Sequence, residues 1–346
     1  MNNQKPDMIN LMVDLLDEAI MNCYYGMIDE EKENTDVTNF NLEKGRLNYY
    51  ECMMHIIDYF LYEKELQVED EVKDKIDECL DAFRNATELH GINTEEIRRA
   101  LLLLDIKAFK NINFPLDIIT PDVIGLLISN FLVGLFEDDK TVELLDYNFG
   151  TGNLAFTLVN NLPYEFKITG IDNHALLTNV SVHKANMLMQ EVNIYHEDAL
   201  AYLPQDIDLI VSDLATYMYE NNEYHSELYD KGVRYFPYLA IEHYLKINKK
   251  HFAIYLIENS FFGQEGSSEF QNVIKANGHI DALITLPATF FKSSEDSKSL
   301  IVISNDQDCN DETNIFVLPE LYEKEKFLEK INEINEFLIK RKELLK

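Results

Sequence analysis

Positive charge is scarce in this sequence. Its 346 residues carry 30 Lys and Arg against 62 Asp and Glu, a formal net charge of -32. Such a surface repels nucleic-acid phosphates at long range, so a nucleic-acid role requires a local basic patch. The only candidates are short: Lys246, Lys249 and Lys250, and the C-terminal Lys340, Arg341, Lys342 and Lys346. They read more readily as solvated helix faces. Cysteine is sparse as well. Cys23, Cys52, Cys79 and Cys309 lie far apart, with no C-x-x-C and no histidine at ligand spacing. That speaks against zinc and against a disulfide framework, and leaves reduced, buried thiols. No apolar run reaches the length of about 18 residues that suggests a membrane span, and Met1 to Asp14 lacks the basic start and apolar stretch of a signal peptide. The expectation is a soluble, cytoplasmic protein with no membrane association and no metal centre.

What is present is ample material for a core, with 46% hydrophobic residues in a chain long enough for one large domain and a smaller one. Residues 1–110 read as a helical N-terminal domain of about four helices. Tyr50, Met53, Ile57, Phe60 and Leu61 recur at helical spacing, and Asn93 with Glu96 resembles a capping box ahead of the apolar Leu101 to Ala108. The polar stretch 34–41 reads as a loop. From Thr120 the pattern changes. Thr120-Pro121 predicts a helix start, with threonine as N-cap and proline at the first helical position. Seven short apolar runs then alternate with helical stretches: 141–147, 167–172, 193–195, 207–212, 251–258, 280–286 and 300–304. That alternation predicts an α/β domain over 111–319, with a mostly parallel sheet covered on both faces. Residues 320–346 predict a last helix, with Phe327, Ile331, Ile334 and Leu338 on its apolar side.

The first strand runs into LLDYNFGTGNLAF, Leu144 to Phe156. Gly150 and Gly152 permit a sharp turn and a close ligand approach, and the helix starting near Asn153 offers free amides. Asp172 ends the second strand 20 residues after Gly152, where an acid can accept both hydroxyls of a nucleoside ribose. A tight turn plus a helix-capping aspartate is the bland alternative. Gly150, Gly152 and Ala155 also satisfy G-x-G-x-x-A, so NAD fits formally. Asp146, placed to reach an amino group, and Asp198 after the third strand, placed to meet an adenine amine, favour S-adenosylmethionine.

Asp146-x-x-x-Gly150-Thr151-Gly152-Asn153-Leu154 resembles the first motif, D-P-x-x-G-T-G-N-L, of the N6-adenine class of amino methyltransferases. The resemblance covers roughly residues 112–305, from a T-P-x-x-I helix to the stretch Asn277 to Ile303. It implies a Rossmann-like class I methyltransferase with a mixed, mostly parallel seven-stranded sheet, an S-adenosylmethionine cofactor and nucleic acid as the family substrate. It also implies a cofactor seat: Thr120 and Pro121 near the methionine end, Asp146 and Gly150 to Gly152 around the carboxypropyl and amino groups, Asp172 on ribose and Asp198 on adenine. The adjoining Asn148, Asn153, Asn173, Ala199 and Asp213 complete it.

In that class the fourth strand ends in [DNS]-P-P-[YFW], whose acid or amide and backbone carbonyl accept the hydrogens of a poorly nucleophilic exocyclic amine while the aromatic stacks on the base. Here the residues are Asp213-Leu214-Ala215-Thr216, with the aromatic displaced to Tyr217. Asp213 and Tyr217 are therefore the catalytic candidates, and the two missing prolines loosen the expected carbonyl geometry. Seven acids and two bases lie between Asp206 and Arg234, which would repel a phosphate. A catalytically weak protein acting as an interaction or regulatory module, engaging a protein partner through its N-terminal helices, is the alternative.

Overall fold

The computed structural model describes residues 6–26, 48–137, 139–247, 249–293, 296–307, 309 and 312–344; the expected loop at 34–41 and Lys346 lie outside them. The chain forms two compact units, Met1–Ile119 with Asn179–Glu191, and Thr120–Thr178 with Val192–Lys346.

The first unit contains α1 (Pro6–Gly26), α2 (Tyr49–Tyr62), α3 (Asp70–His90) and α4 (Thr94–Asn111). α1 packs on the other three. The capping box at the start of α4 forms as expected: Asn93 accepts from Glu96 N at 3.0 Å, and Glu96 accepts from Asn93 N at 3.1 Å. A second box, Asn48 with Glu51, starts α2. These boxes satisfy amides that a helix leaves unpaired at its first turn. Inside this unit Asp105 is fully buried, accepts from Tyr50 Oη at 3.2 Å and pairs with Lys184. Burial, reinforced by Asp105, pushes the Tyr50 phenol well above its ordinary pKa.

The second unit opens with α5 (Asp122–Leu132). Its sheet strands are β1 (Thr141–Asp146), β2 (Glu165–Asp172), β3 (Val192–His196), β4 (Leu209–Asp213), β5 (Phe252–Glu258), β6 (His279–Thr285), β7 (Lys298–Ser304) and β8 (Asn314–Val317). Between them run α6 (Asn153–Asn161), α7 (Ala175–Met187), whose residues from Asn179 on belong to the first unit, α8 (Glu227–Asp230), α9 (Phe236–Leu245) and α10 (Ser267–Asn277), and α11 (Lys324–Leu344) closes the chain. The strand order is β3-β2-β1-β4-β5-β7-β6-β8. β1 to β5 pair in parallel, β7 is antiparallel to β5 and β6, and β8 is parallel to β6.

The sheet thus has eight strands rather than the expected seven. β8 gives little sequence signal because it is a four-residue edge strand in which only Phe316 is buried, while Ile315 and Val317 face outward. α5 also starts one residue later than the Thr-Pro pair predicts, with Pro121 at the cap, because the Thr120 hydroxyl is used elsewhere. On α11, Phe327, Ile334 and Leu338 are buried as the apolar spacing predicts. Four expected solvated cations are engaged: Arg341 is buried against Asp281 and Asp306, Lys342 lies 4.6 Å from the Phe136 ring centroid, Lys249 pairs with Asp208 at 2.9 Å and Lys246 with Glu242 at 3.7 Å. Cys23, Cys52 and Cys79 are buried thiols, whereas Cys309 is partly exposed. Among the described residues no helix is long and apolar enough to cross a membrane.

Candidate functional site

The carboxyl ends of β1 to β4 converge on one edge of the sheet, where open α/β folds hold ligands. β1 delivers Asp146 there, 1% exposed. Its Oδ1 accepts from Ser212 Oγ at 2.6 Å and from Asn148 N at 3.1 Å. Burial raises its pKa to about 7 against those two donors, with Asp213 and Asp172 adding to the rise.

The turn after β1 needs its glycines. Gly150 and Gly152 have φ of 55° and 76°, in the left-handed region that suits glycine. A Cβ on Gly152 would lie 2.3 Å from the Phe156 ring. Phe156 is fully buried and packs edge-on against Phe149, so it has no room to retreat. Thr151 is buried in the turn, and the buried Asn153 begins α6. The Asn153 amide donates to Thr120 O at 3.0 Å and to Asp122 Oδ1 at 3.1 Å, tying the glycine loop to the start of α5.

Asp172, at the end of β2, is bound on both oxygens. Gly150 N donates to Oδ2 and His174 N to Oδ1, each at 2.8 Å. The acid therefore shapes the glycine loop as well as facing the ligand edge. Asn173 is exposed and its carbonyl lies 3.1 Å from His196 Nε2. After β3, Asp198 accepts from Leu200 N at 2.9 Å and from Tyr219 Oη at 2.5 Å, and Ala199 is buried beside it. Burial, with Asp198 as second cause, pushes the Tyr219 phenol up to about 12.

Asp213 ends β4. Its Oδ2 accepts from Thr120 Oγ1 at 2.9 Å, and its Oδ1 pairs with Lys298 Nζ at 2.6 Å. Thr120 is thus a tertiary partner of the acid and not the N-cap of α5; Pro121 beside it is exposed. Past Asp213, Leu214 turns inward, Ala215 N donates to Asn148 Oδ1 at 3.3 Å, and Thr216 Oγ1 donates to Glu258 Oε1 at 2.8 Å. The Tyr217 ring stacks on Phe236 with centroids 4.5 Å apart and planes at 15°, and remains 38% exposed. Phe261 and Phe290 are buried in packing, while Phe262 is exposed.

No protein-family model matches the chain. It is 30% identical over 249 residues to the uncharacterised protein YtxK of Bacillus subtilis, across 70% of this chain and 75% of YtxK. The chain belongs to the YtxK family. Three solved structures share the fold of this YtxK-family chain. A Listeria monocytogenes protein assigned as a class I S-adenosylmethionine-dependent methyltransferase superposes with a TM-score of 0.78 at 24% identity, over 96% of this chain and 100% of that one. A type I restriction-modification methyltransferase subunit of Streptococcus thermophilus gives 0.54 at 14% identity, over 82% and 69%. A modification subunit assigned to a type I restriction enzyme of Vibrio vulnificus gives 0.55 at 11% identity, over 90% and 77%. The fold is that of the class I methyltransferases, as the glycine-loop resemblance implies.

Sequence reasoning missed three residues in this YtxK-family site: Lys298, Ser212 and Glu258. Ser212 sits in the apolar run of β4 as a buried hydroxyl, with no local signal that it meets Asp146, 66 positions earlier. Lys298 opens β7, ahead of the apolar run that marked that strand, and nothing local to it points to an acid 85 positions away.

Proposed function

We propose that this chain is a cytoplasmic S-adenosylmethionine-dependent methyltransferase directed at an amino group, with nucleic acid as the substrate class. The observation carrying the reading is the set of acids on one sheet edge: Asp146 ending β1, Asp172 ending β2 and Asp198 following β3, around the two left-handed glycines of the turn into α6. These residues fit the cofactor chemically. The partners of Asp172 and Asp198 are backbone amides and one phenol, which leave acceptor capacity for ribose hydroxyls and an adenine amine. The sealed Asp146, neutral below about pH 7, is suited to ionise against an ammonium group.

The cofactor supplies an electrophilic methyl on a sulfonium; the chain holds and orients the acceptor. Asp213 stands where an amine's hydrogens would be accepted. Each of its oxygens already takes one donor, Thr120 or Lys298, and retains a second lone pair. The ammonium of Lys298 draws charge from the acid and so weakens it as an acceptor. Tyr217 offers one exposed face to a planar acceptor while Phe236 supports the other.

That pairing of Asp213 with Lys298 favours a second reading, a weak or inactive methyltransferase-fold protein that serves as an interaction module. Incubation with methyl-labelled S-adenosylmethionine and DNA, RNA or protein extracts separates the two. Transfer to DNA or RNA, lost in Asp213→Ala, supports the first; no transfer to any acceptor by a protein that binds S-adenosylhomocysteine supports the second. No binding at millimolar S-adenosylhomocysteine overturns the first and leaves the second.

A further inference from the structure

At the opposite edge of the sheet, away from the carboxyl ends of the parallel strands, three side chains with metal-ligating atoms meet. β6 begins with His279, and Asp281 follows two residues later; Cys309 arrives from the connection between β7 and β8. One potential ligand atom from each lies within 4.8 Å of the others, and His279 Nδ1 is 3.0 Å from Asp281 Oδ1. A tetrahedral ion about 2.0 to 2.3 Å from nitrogen, oxygen and sulfur ligands sets them about 3.5 Å apart, so the ligand atoms readjust by up to about an ångström to close the site. Both His279 and Cys309 are partly exposed, which leaves them room for that movement.

A second observation points to a ligand. Asp281 is 1% exposed, and its Oδ1 takes Arg341 Nε as well as facing His279, yet its Oδ2 is buried with no hydrogen-bond partner among the described residues. A buried carboxylate oxygen without a donor is costly, and a cation is one remedy. Arg341 is engaged on Oδ1, the oxygen that also faces His279, and leaves Oδ2 without a donor among the described residues. Its donors face Asp281 Oδ1, Asp306 Oδ2 at 3.0 Å and Ser304 Oγ at 3.2 Å, an arrangement that fixes the carboxylate as an outer partner does in metal sites.

We propose that His279, Asp281 and Cys309 bind a zinc-class divalent cation, with a fourth position open to water. Mixed imidazole, carboxylate and thiolate ligands suit zinc over magnesium or calcium. The ion ties the β7–β8 connection to the start of β6, beside the end of α11, and stands apart from the site at the carboxyl ends of β1 to β4. Sequence spacing speaks against a metal here because the cysteine lies on another segment from the histidine and aspartate.

The test is cobalt titration of the full, metal-stripped chain, followed by its thiolate-to-cobalt charge-transfer absorption. The expected result is one cobalt per chain, a thiolate band that added zinc bleaches, loss of the band in Cys309→Ser, and at least tenfold weaker cobalt binding in His279→Ala. Zinc should also raise the melting temperature of the wild type and not of Cys309→Ser. Absence of the band with cobalt in excess overturns the proposal, as does a band that survives Cys309→Ser, which would assign it to another cysteine. Should Cys309→Ser not fold, Cys309→Ala is read in the same way, and an unchanged cobalt affinity in His279→Ala refutes the site on its own.

Discussion

Replacing Asp172 by asparagine tests two roles of one side chain. The aspartate holds Gly150 N on one oxygen and His174 N on the other, both at 2.8 Å. Asparagine is nearly isosteric but has a single acceptor, so one amide meets an NH2 group instead. The lost bond is charge-assisted and worth about 1.5 to 3 kcal/mol. At roughly 2 to 4 °C per kcal/mol for a domain of this size, the melting temperature should fall by about 3 to 12 °C. Independently, the ribose hydroxyls of a bound nucleoside lose a charged acceptor. The same bond energy then corresponds to roughly 10- to 150-fold weaker S-adenosylhomocysteine binding. Calorimetric titration at a temperature where wild type and variant are both folded separates the roles. A lower melting temperature with unchanged affinity refutes the ribose assignment and leaves the loop-shaping role. If neither quantity changes, both are refuted.

Gly152→Ala should destabilise the chain by about 3 kcal/mol, combining a left-handed φ of 76° with a methyl 2.3 Å from the fixed Phe156 ring; a urea midpoint equal to wild type contradicts this. Lys298→Met frees Asp213 Oδ1, so methyl transfer to an amine acceptor should rise, while stability falls by about 1 to 2 kcal/mol because the pair is partly exposed. A fall in transfer per folded molecule would mean that the ammonium orients the acid. Asp146 gives a pH signature. Its folded pKa of about 7 lies above the unfolded 3.8, so the unfolded chain binds fewer protons in that window, and this group's stabilisation is lost as pH rises from about 4 to 7 and is constant above it. The stability of wild type relative to Asp146→Asn should therefore decline by on the order of 4 kcal/mol across that range. A difference independent of pH would place the native pKa near its ordinary value.

The turn from β1 into α6 was legible because its signals are local: an apolar run, two glycines four and six residues past Asp146, and helix-forming residues after Asn153. The acids at the ends of β2 and β4 were legible for the same reason, since a buried strand that stops at an aspartate marks its own end. What escaped was tertiary. Thr120 reads as an N-cap by propensity, but a hydrogen bond to an acid 93 positions on takes its hydroxyl. Arg341 reads as a solvated cation on a charged helix, yet α11 lays it against two buried acids. β8 has one buried residue in four, too little alternation to distinguish it from a loop. In each case the deciding partner lies far along the chain, where neither periodicity nor spacing reaches.

The central claim is that the edge formed by Gly150 to Gly152, Asp172 and Asp198 seats S-adenosylmethionine. A crystal structure grown with S-adenosylhomocysteine tests it directly. The expected result is a ligand whose ribose hydroxyls lie within hydrogen-bond distance of the Asp172 carboxylate, with its adenine amine at Asp198 and its amino group toward Asp146. A ligand seated elsewhere on the chain, or no ligand at millimolar concentration in a crystal whose lattice leaves this edge open, would contradict the account.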